Sequence, residues 1–113
     1  MKANTQELAA LQEMIDVLSQ GEVDLPRLRL QFQAAYEDRK AGVGWKEIME
    51  SDFAGEGMQS MSRFLRRLSL ASGPLRRQVV IGLRDEKLTI PAIAARLRVT
   101  HQRVSNILKR AAE

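Results

Sequence analysis

The stretch from residue 89 to residue 110 constrains the fold of this chain more than any other. Apolar residues in its first half recur at helical spacing, at Ile93, Ala94 and Leu97. Pro91 falls in the opening turn, where its missing N–H costs little, so the pattern predicts a helix of about two turns. Thr100 can then cap the start of a second helix, which makes the connection tight. Two short helices joined in this way form a helix-turn-helix.

The second helix, predicted from about His101 to Ala111, divides into an aliphatic face and a polar face. The aliphatic face contains Val104, Ile107, Leu108 and Ala111. The opposite face carries Gln102, Ser105, Asn106 and Lys109, flanked by Arg103 and Arg110. Amides can pair bidentately with adenine, and cations can contact guanine or phosphate. The polar face therefore has the side chains that reading of the DNA major groove requires.

The order of these residues resembles the promoter-recognition helix-turn-helix at the C-terminus of bacterial sigma factors, which many small bacterial regulators share. The resemblance covers about 24 of the 113 residues and is carried by Leu88-Thr89, Ile93-Ala94, Arg96-Leu97, Val99-Thr100, Arg103-Val104, Ile107 and Arg110-Ala111. It implies that bases are contacted by His101, Gln102, Ser105 and Asn106, although His101 fits an ordinary surface position equally well. The family usually has glycine in the turn, where φ > 0 is favoured. Because Arg98 occupies that position, the turn is expected to be slightly strained or differently shaped.

A further helix is predicted immediately before this motif. Ser72, Gly73 and Pro74 form a helix-start signal, and the following helix to Lys87 has an apolar face of Leu75, Val79, Val80 and Leu83. Arg76 and Arg77 lie off that face. We expect them to contact the DNA backbone with Thr100, Arg103 and Arg110, the alternative being a merely solvated basic surface.

The charges of the chain are unevenly distributed. Residues 1–56 carry 6 basic and 11 acidic side chains, whereas residues 57–113 carry 12 basic and 3 acidic ones, within a net charge of +4. The basic half contains the helix-turn-helix. Such polarity favours a protein that presents one side to a polyanion.

The composition also argues against several classes of protein. The chain has no cysteine and one histidine, His101, so neither a thiolate or histidine-cluster metal site nor a disulfide is expected. No paired nucleophile and base and no phosphate-binding glycine loop are visible, so neither an enzyme nor a cofactor is predicted. No apolar run approaches the roughly 20 residues of a membrane span, and residues 1–7 lack the hydrophobic region of a signal peptide. The expected location is the cytoplasm, at the nucleoid.

The N-terminal half is predicted to consist of helices as well. They run from Thr5 to about Ser19, from Leu25-Pro26 to Lys40, briefly from Trp45, and from about Met58 to Leu70, with an irregular loop over 52–57. The residues predicted to be buried in the last three helices are Leu28, Phe32, Ala35, Tyr36, Trp45, Ile48, Met49, Met61, Phe64, Leu65 and Leu68. Trp45 is assigned to the core rather than to a stacking platform. In the first helix, a narrow apolar seam of Leu8, Leu11, Ile15 and Leu18 packs either on the domain's own core or against a second subunit.

Residues 44–67 also align loosely with the C-terminal motif. This alignment predicts, as an alternative, a second and degenerate helix-turn-helix, with Arg63, Arg66 and Arg67 as a second DNA surface.

Together these patterns predict an all-α protein of six or seven helices. Residues 1–71 would form an oligomerisation or scaffold half, or the second helix-turn-helix, and residues 72–113 the trihelical DNA-binding unit. The leading hypothesis is a sequence-specific regulator of transcription, a repressor or a mobile-element control protein, that binds double-stranded DNA as a homodimer. Two alternatives remain open: a monomer with tandem motifs, and a sigma-like module that docks on RNA polymerase or another regulator.

Overall fold

The computed structural model describes residues 3–113, without the side chains of residues 52–54. This range contains five helices and no strand: α1 (Thr5–Lys40), α2 (Trp45–Glu50), α3 (Asp52–Asp85), α4 (Ile90–Leu97) and α5 (His101–Ala112). The all-α class is confirmed. The predicted number of six or seven helices is wrong, because α1 and α3 each replace two shorter helices.

α1 passes through Gly21 and Pro26, where the sequence predicts a break. Gly21 is buried, and a Cβ built on it would lie 2.8 Å from Cε2 of Phe64 on α3. The glycine therefore allows close packing of two helices instead of ending one of them. The free energy gained by this packing exceeds the cost of the backbone hydrogen bond that Pro26 removes.

α3 likewise has no break where the sequence predicts two. It begins at Asp52, so the loop over 52–57 is a wrong prediction, and it continues through Gly73 and Pro74. Gly57 is buried, and a Cβ there would lie 3.1 Å from Oε1 of Gln31, so this glycine also accommodates α1. Pro74 is exposed, which lets water satisfy the carbonyl that the proline leaves without its helical partner.

The chain divides into two compact units. One consists of residues up to Met14 together with Ala71–Glu113, and the other is Ile15–Leu70. The first turns of α1 thus belong to the unit that contains α4 and α5. The functional division into residues 1–71 and 72–113 stays a prediction.

In the unit Ile15–Leu70, α1 buries a face of modest hydrophobicity. Its buried residues are Val17, Gly21, Leu28 and Gln31, spaced as in the seam of a coiled coil. α2 adds Ile48, which is almost completely buried. Because small residues let the two helices approach closely, this face is buried in preference to the leucine-rich one.

Several large apolar residues predicted to be buried are consequently exposed, namely Phe32, Tyr36, Trp45, Met49 and Leu65. Trp45 is 62% exposed, and the guanidinium carbon of Arg39 lies 5.6 Å from its ring centroid, within cation–π range. The assignment of Trp45 to the core is therefore wrong. The four seam residues Leu8, Leu11, Ile15 and Leu18 are also roughly half exposed.

The unit that contains α4 and α5 has a well-defined apolar core. Val80, Ile93, Ala94 and Val104 are buried, and Leu83, Leu88, Ile90, Leu97, Val99, Ile107 and Leu108 pack against them. The predicted inner faces of α4 and α5 are thereby confirmed, apart from Ala111. Ala111 is exposed because the last turn of α5 extends past this core. On α3, Val79 was predicted for the apolar face but is 37% exposed, in a groove beside Leu8 and Leu11.

None of the helices in the described part of the chain has the length and hydropathy that crossing a membrane requires.

Candidate nucleic-acid interface

α4 and α5 are held in place by a threonine at the start of each helix. Oγ1 of Thr89 accepts a hydrogen bond from the N–H of Ala92 at 3.2 Å, and Oγ1 of Thr100 accepts one from Arg103 at 3.1 Å. The predicted two-turn helix, the Thr100 cap and the tight turn are confirmed. The Thr89 cap was missed, although a threonine shortly before Pro91 is a helix-start signal.

The turn between α4 and α5 has the left-handed backbone that glycine favours. Arg98 adopts φ 55° and ψ 45°, and the N–H of Val99 donates to the carbonyl of Ala94 at 3.1 Å, which closes α4. Of the two expectations for this turn, strain is therefore the one observed. A residue with a Cβ in this conformation costs about 1–2 kcal/mol.

Replacing Arg98 with glycine is expected to raise the free energy of unfolding by about 1 kcal/mol, because glycine adopts φ > 0 without a steric penalty. The matched control is Arg98→Ala, which removes the same exposed side chain but keeps the Cβ, and should give no gain. Urea denaturation followed by circular dichroism measures both. Equal stability of the two variants would show that the backbone at residue 98 is not strained.

The outward face of α5 carries a hydrogen-bonded pair of amides. Gln102 and Asn106 are both exposed, and Nε2 of Gln102 donates to Oδ1 of Asn106 at 3.0 Å. Each amide keeps a free N–H and a free acceptor site. Bidentate pairing with a base therefore does not require this bond to break. His101 and Lys109 are exposed as well, whereas Ser105 is half-buried.

The two amides lie at the edge of a basic groove between α3 and α5. The side chains that line it are Gly73, Pro74, Arg76, Arg77, Thr100, Gln102, Arg103, Asn106, Ile107 and Arg110. All five residues predicted to contact the DNA backbone thus line the same groove as the amides. Arg76 and Arg77 belong to α3, Thr100 caps α5, and Arg103 and Arg110 lie within α5. The groove has four arginines and no acidic residue in its lining. His101, Ser105 and Lys109 do not line it.

Arg84, in the last turn of α3, has a structural contact. Its Nη1 donates to the carbonyl of Leu88 at 2.9 Å. This bond stabilises the segment that leads from α3 into α4.

The segment around α2 does not repeat the geometry of the C-terminal motif. Ser51 alone separates α2 from α3, whereas residues 98–100 connect α4 to α5. A helix-turn-helix needs a turn of about three or four residues. The second, degenerate motif is therefore a wrong prediction. Arg63, Arg66 and Arg67 instead project from the middle of α3, and Arg63 and Arg67 share a cleft with Asp24 and Glu56.

Comparison with known protein families identifies the C-terminal region. A family model described as a homeodomain-like domain, of the helix-turn-helix type, matches residues 74–113. The match spans the end of α3 and all of α4 and α5, and it includes every charged or amide side chain of the groove. A helix-turn-helix domain at the C-terminus is thus confirmed, and no catalytic family is found. No curated protein and no solved structure matches the chain.

Proposed function

We propose that this protein is a regulator of transcription that binds specific sequences of double-stranded DNA with α5 in the major groove. The observation that carries the proposal is the basic groove, in which Arg76 and Arg77 of α3 lie beside Gln102 and Asn106 of α5. Helix-turn-helix domains place their second helix in the major groove and let flanking residues contact the backbone. The matched region, residues 74–113, carries nine basic and three acidic side chains.

The proposed contacts divide into two groups by position. The bases would be read by the half-buried Ser105 and by four exposed residues of α5, His101, Gln102, Asn106 and Lys109. The phosphates would be contacted by Arg76, Arg77, Thr100, Arg103 and Arg110. Two members of the second group, Thr100 and Arg103, lie at the N-terminus of α5. The partial positive charge of a helix N-terminus favours a nearby phosphate.

A single α5 helix reads only a few base pairs, so useful specificity requires two copies on half-sites about one helical turn apart. We therefore propose a homodimer that acts at the nucleoid, as a repressor or as a control protein of a mobile element. Leu8, Leu11, Ile15 and Leu18 are dimerisation candidates, since they are roughly half exposed. Arg63, Arg66 and Arg67, which are exposed on α3, are candidates for a second DNA surface.

The competing hypothesis is a module that docks on RNA polymerase or another regulator. It predicts an apolar outer face on α5, but the exposed residues there are amides and cations. Selection of bound sequences from random DNA tests the two hypotheses directly. Enrichment of one motif is expected, and its symmetry reports whether one or two copies bind. Absence of DNA binding at low salt would exclude the proposed function.

Arg77→Ala is expected to weaken binding to all DNA sequences equally and to lower the slope of log K against log salt by about 0.9, the value for one lost phosphate contact. Lys46→Ala is the matched control, because it removes one exposed positive charge on α2, outside residues 74–113. Fluorescence anisotropy at several salt concentrations measures both slopes. If the two variants change the slope equally, Arg77 does not contact a phosphate.

A further inference from the structure

The unit Ile15–Leu70 leaves two rows of large apolar side chains uncovered. On α1, Leu18, Leu25 and Phe32 recur every seven residues and are 50%, 47% and 37% exposed. On α3, Met58 and Leu65 are also seven residues apart and are exposed. A seven-residue repeat keeps side chains on one side of a helix. Each row is therefore a continuous apolar stripe.

Both stripes open on the same side of the helix pair. α1 and α3 run antiparallel, since Gly21 of α1 lies against Phe64 and Gln31, further along α1, lies against Gly57. The two stripes meet in one groove, which Phe32, Tyr36, Trp45, Met49 and Met58 line. The opposite side of the pair has a polar cleft that contains Asp24, Glu56, Arg63 and Arg67. One side of this unit is thus mainly apolar and the other is polar.

The uncovered apolar side is as large as a protein interface. It consists of Ile15, Leu18, Leu25, Phe32, Tyr36, Trp45, Met49, Met58 and Leu65, which are on average about half exposed. At about 200 Å² for a large side chain, these residues expose roughly 900 Å². Apolar patches on monomeric proteins reach about 300–600 Å², and a standard interface takes about 800 Å² from each partner. This side of the unit is therefore expected to have a partner.

We propose that the partner is a second copy of this chain, whose α1 packs antiparallel on the same stripe about a two-fold axis at Leu25. This inference rests on the proposed function, which requires two copies of the chain on DNA. The surface that it assigns to dimerisation lies outside residues 74–113. An interface of this kind requires a self-complementary stripe. Along α1, Leu18 and Phe32 are equally far from Leu25. Leu18 of one copy therefore faces Phe32 of the other.

The charges on the stripe fit the same axis. Glu22 and Arg29, both exposed, lie between Ile15 and Tyr36 at seven-residue spacing. Glu22 lies three residues before Leu25 and Arg29 four after it, and Ile15 and Tyr36 are ten and eleven residues away. In the antiparallel arrangement Glu22 of one copy therefore faces Arg29 of the other, and Ile15 faces Tyr36, to within one residue, a rise of about 1.5 Å. Each copy thus supplies one Glu22 and one Arg29, so the dimer contains two Glu22–Arg29 pairs between the copies. A partner of different sequence would not require this symmetry about Leu25.

Light scattering coupled to gel filtration tests the proposal on the full chain. The wild-type protein is expected at twice its chain mass of 12.7 kDa. Leu25→Glu, which places two carboxylates at the axis, is expected to give the single-chain mass with unchanged helical circular dichroism. The control Leu30→Glu makes the same change at an exposed position off the stripe, and should leave the dimer intact. A monomeric wild-type protein, or equal masses for the two variants, would overturn the proposal.

A charge exchange tests the antiparallel arrangement itself. Glu22→Arg alone is expected to raise the dimer dissociation constant, because it places two arginines together. Combining it with Arg29→Glu should restore most of the affinity, since each pair is then reversed. Failure of this rescue would exclude the axis at Leu25. Binding of a DNA half-site by the Leu25→Glu monomer is measured separately, so that loss of dimerisation and loss of the proposed DNA-binding function give different results.

Discussion

Replacing Gln102 and Asn106 together with alanine is expected to remove most of the sequence discrimination of DNA binding while leaving the fold intact. Each bidentate contact of an amide with adenine contributes about 1–3 kcal/mol of discrimination. Loss of both contacts should therefore reduce the preference for the selected site over random DNA by roughly 30-fold to 10⁴-fold. Binding to random DNA should persist, because the arginines of the basic groove are unchanged.

The same double variant should melt close to the wild-type temperature. Both side chains are exposed, and their mutual hydrogen bond at 3.0 Å is an i,i+4 helix-surface contact that contributes about 0.2–0.5 kcal/mol. Alanine also has a higher helix propensity than either residue, which offsets part of that loss. Competition binding with selected and scrambled DNA, together with thermal denaturation, measures both quantities. Gln59→Ala, an exposed glutamine on α3, is the control. An unchanged sequence preference in the double variant would refute the assigned reading face.

Ile93→Ala is expected to lower the free energy of unfolding by about 2–5 kcal/mol. Ile93 is fully buried and packs in one cluster with Val80 of α3 and Val104 of α5. Truncating it removes buried apolar contacts and leaves a cavity at the point where these helices meet. Since a domain of this size has a stability of about 5–15 kcal/mol, this loss is a large fraction of the total.

The Ile93→Ala variant should also bind DNA more weakly, although Ile93 is too deeply buried to touch DNA. α5 and the arginines of α3 keep their relative positions through this core, so loosening it disturbs the basic groove. Leu70→Ala is the control, because Leu70 is 65% exposed and its truncation should change stability by less than about 0.5 kcal/mol. Denaturant titration and anisotropy on the same samples measure both effects. Similar stabilities of the two variants would mean that the core is not organised around Ile93.

The C-terminal region could be predicted in detail because its signals are local. Pro91, the Thr100 cap and the spacing of Ile93, Ala94 and Leu97 act within a few residues of one another. Such signals predict the bounds of α4 and α5 to within a residue or two. The polar face of α5 follows from helical periodicity alone. The left-handed backbone at residue 98 was also foreseeable, since glycine usually occupies that position in related motifs.

The N-terminal half could not be predicted in the same way, because its helices depend on packing between distant segments. Gly21 and Pro26 are local signals for a helix end, but contact with Phe64, more than forty residues away, favours one long helix. The buried face of α1 contains Gly21 and Gln31, which no hydrophobicity pattern would select. Conversely, Phe32, Tyr36 and Leu65, which periodicity assigns to a core, lie exposed on the side proposed to contact a second copy of the chain.

The sequence by itself determined the helix-turn-helix, the polar face of α5 and the basic character of its half, since each depends on residues close together in the chain. Only the tertiary structure decided that Arg76 and Arg77 join Gln102 and Asn106 in one groove, that α1 and α3 are continuous, and which face of α1 remains uncovered. The groove depends on the packing of Val80, Ile93 and Val104 between α3, α4 and α5, and the other two results depend on the close approach of α1 and α3 at Gly21 and Gly57. Packing of this kind belongs to pairs of distant segments, so it cannot be inferred from either segment alone.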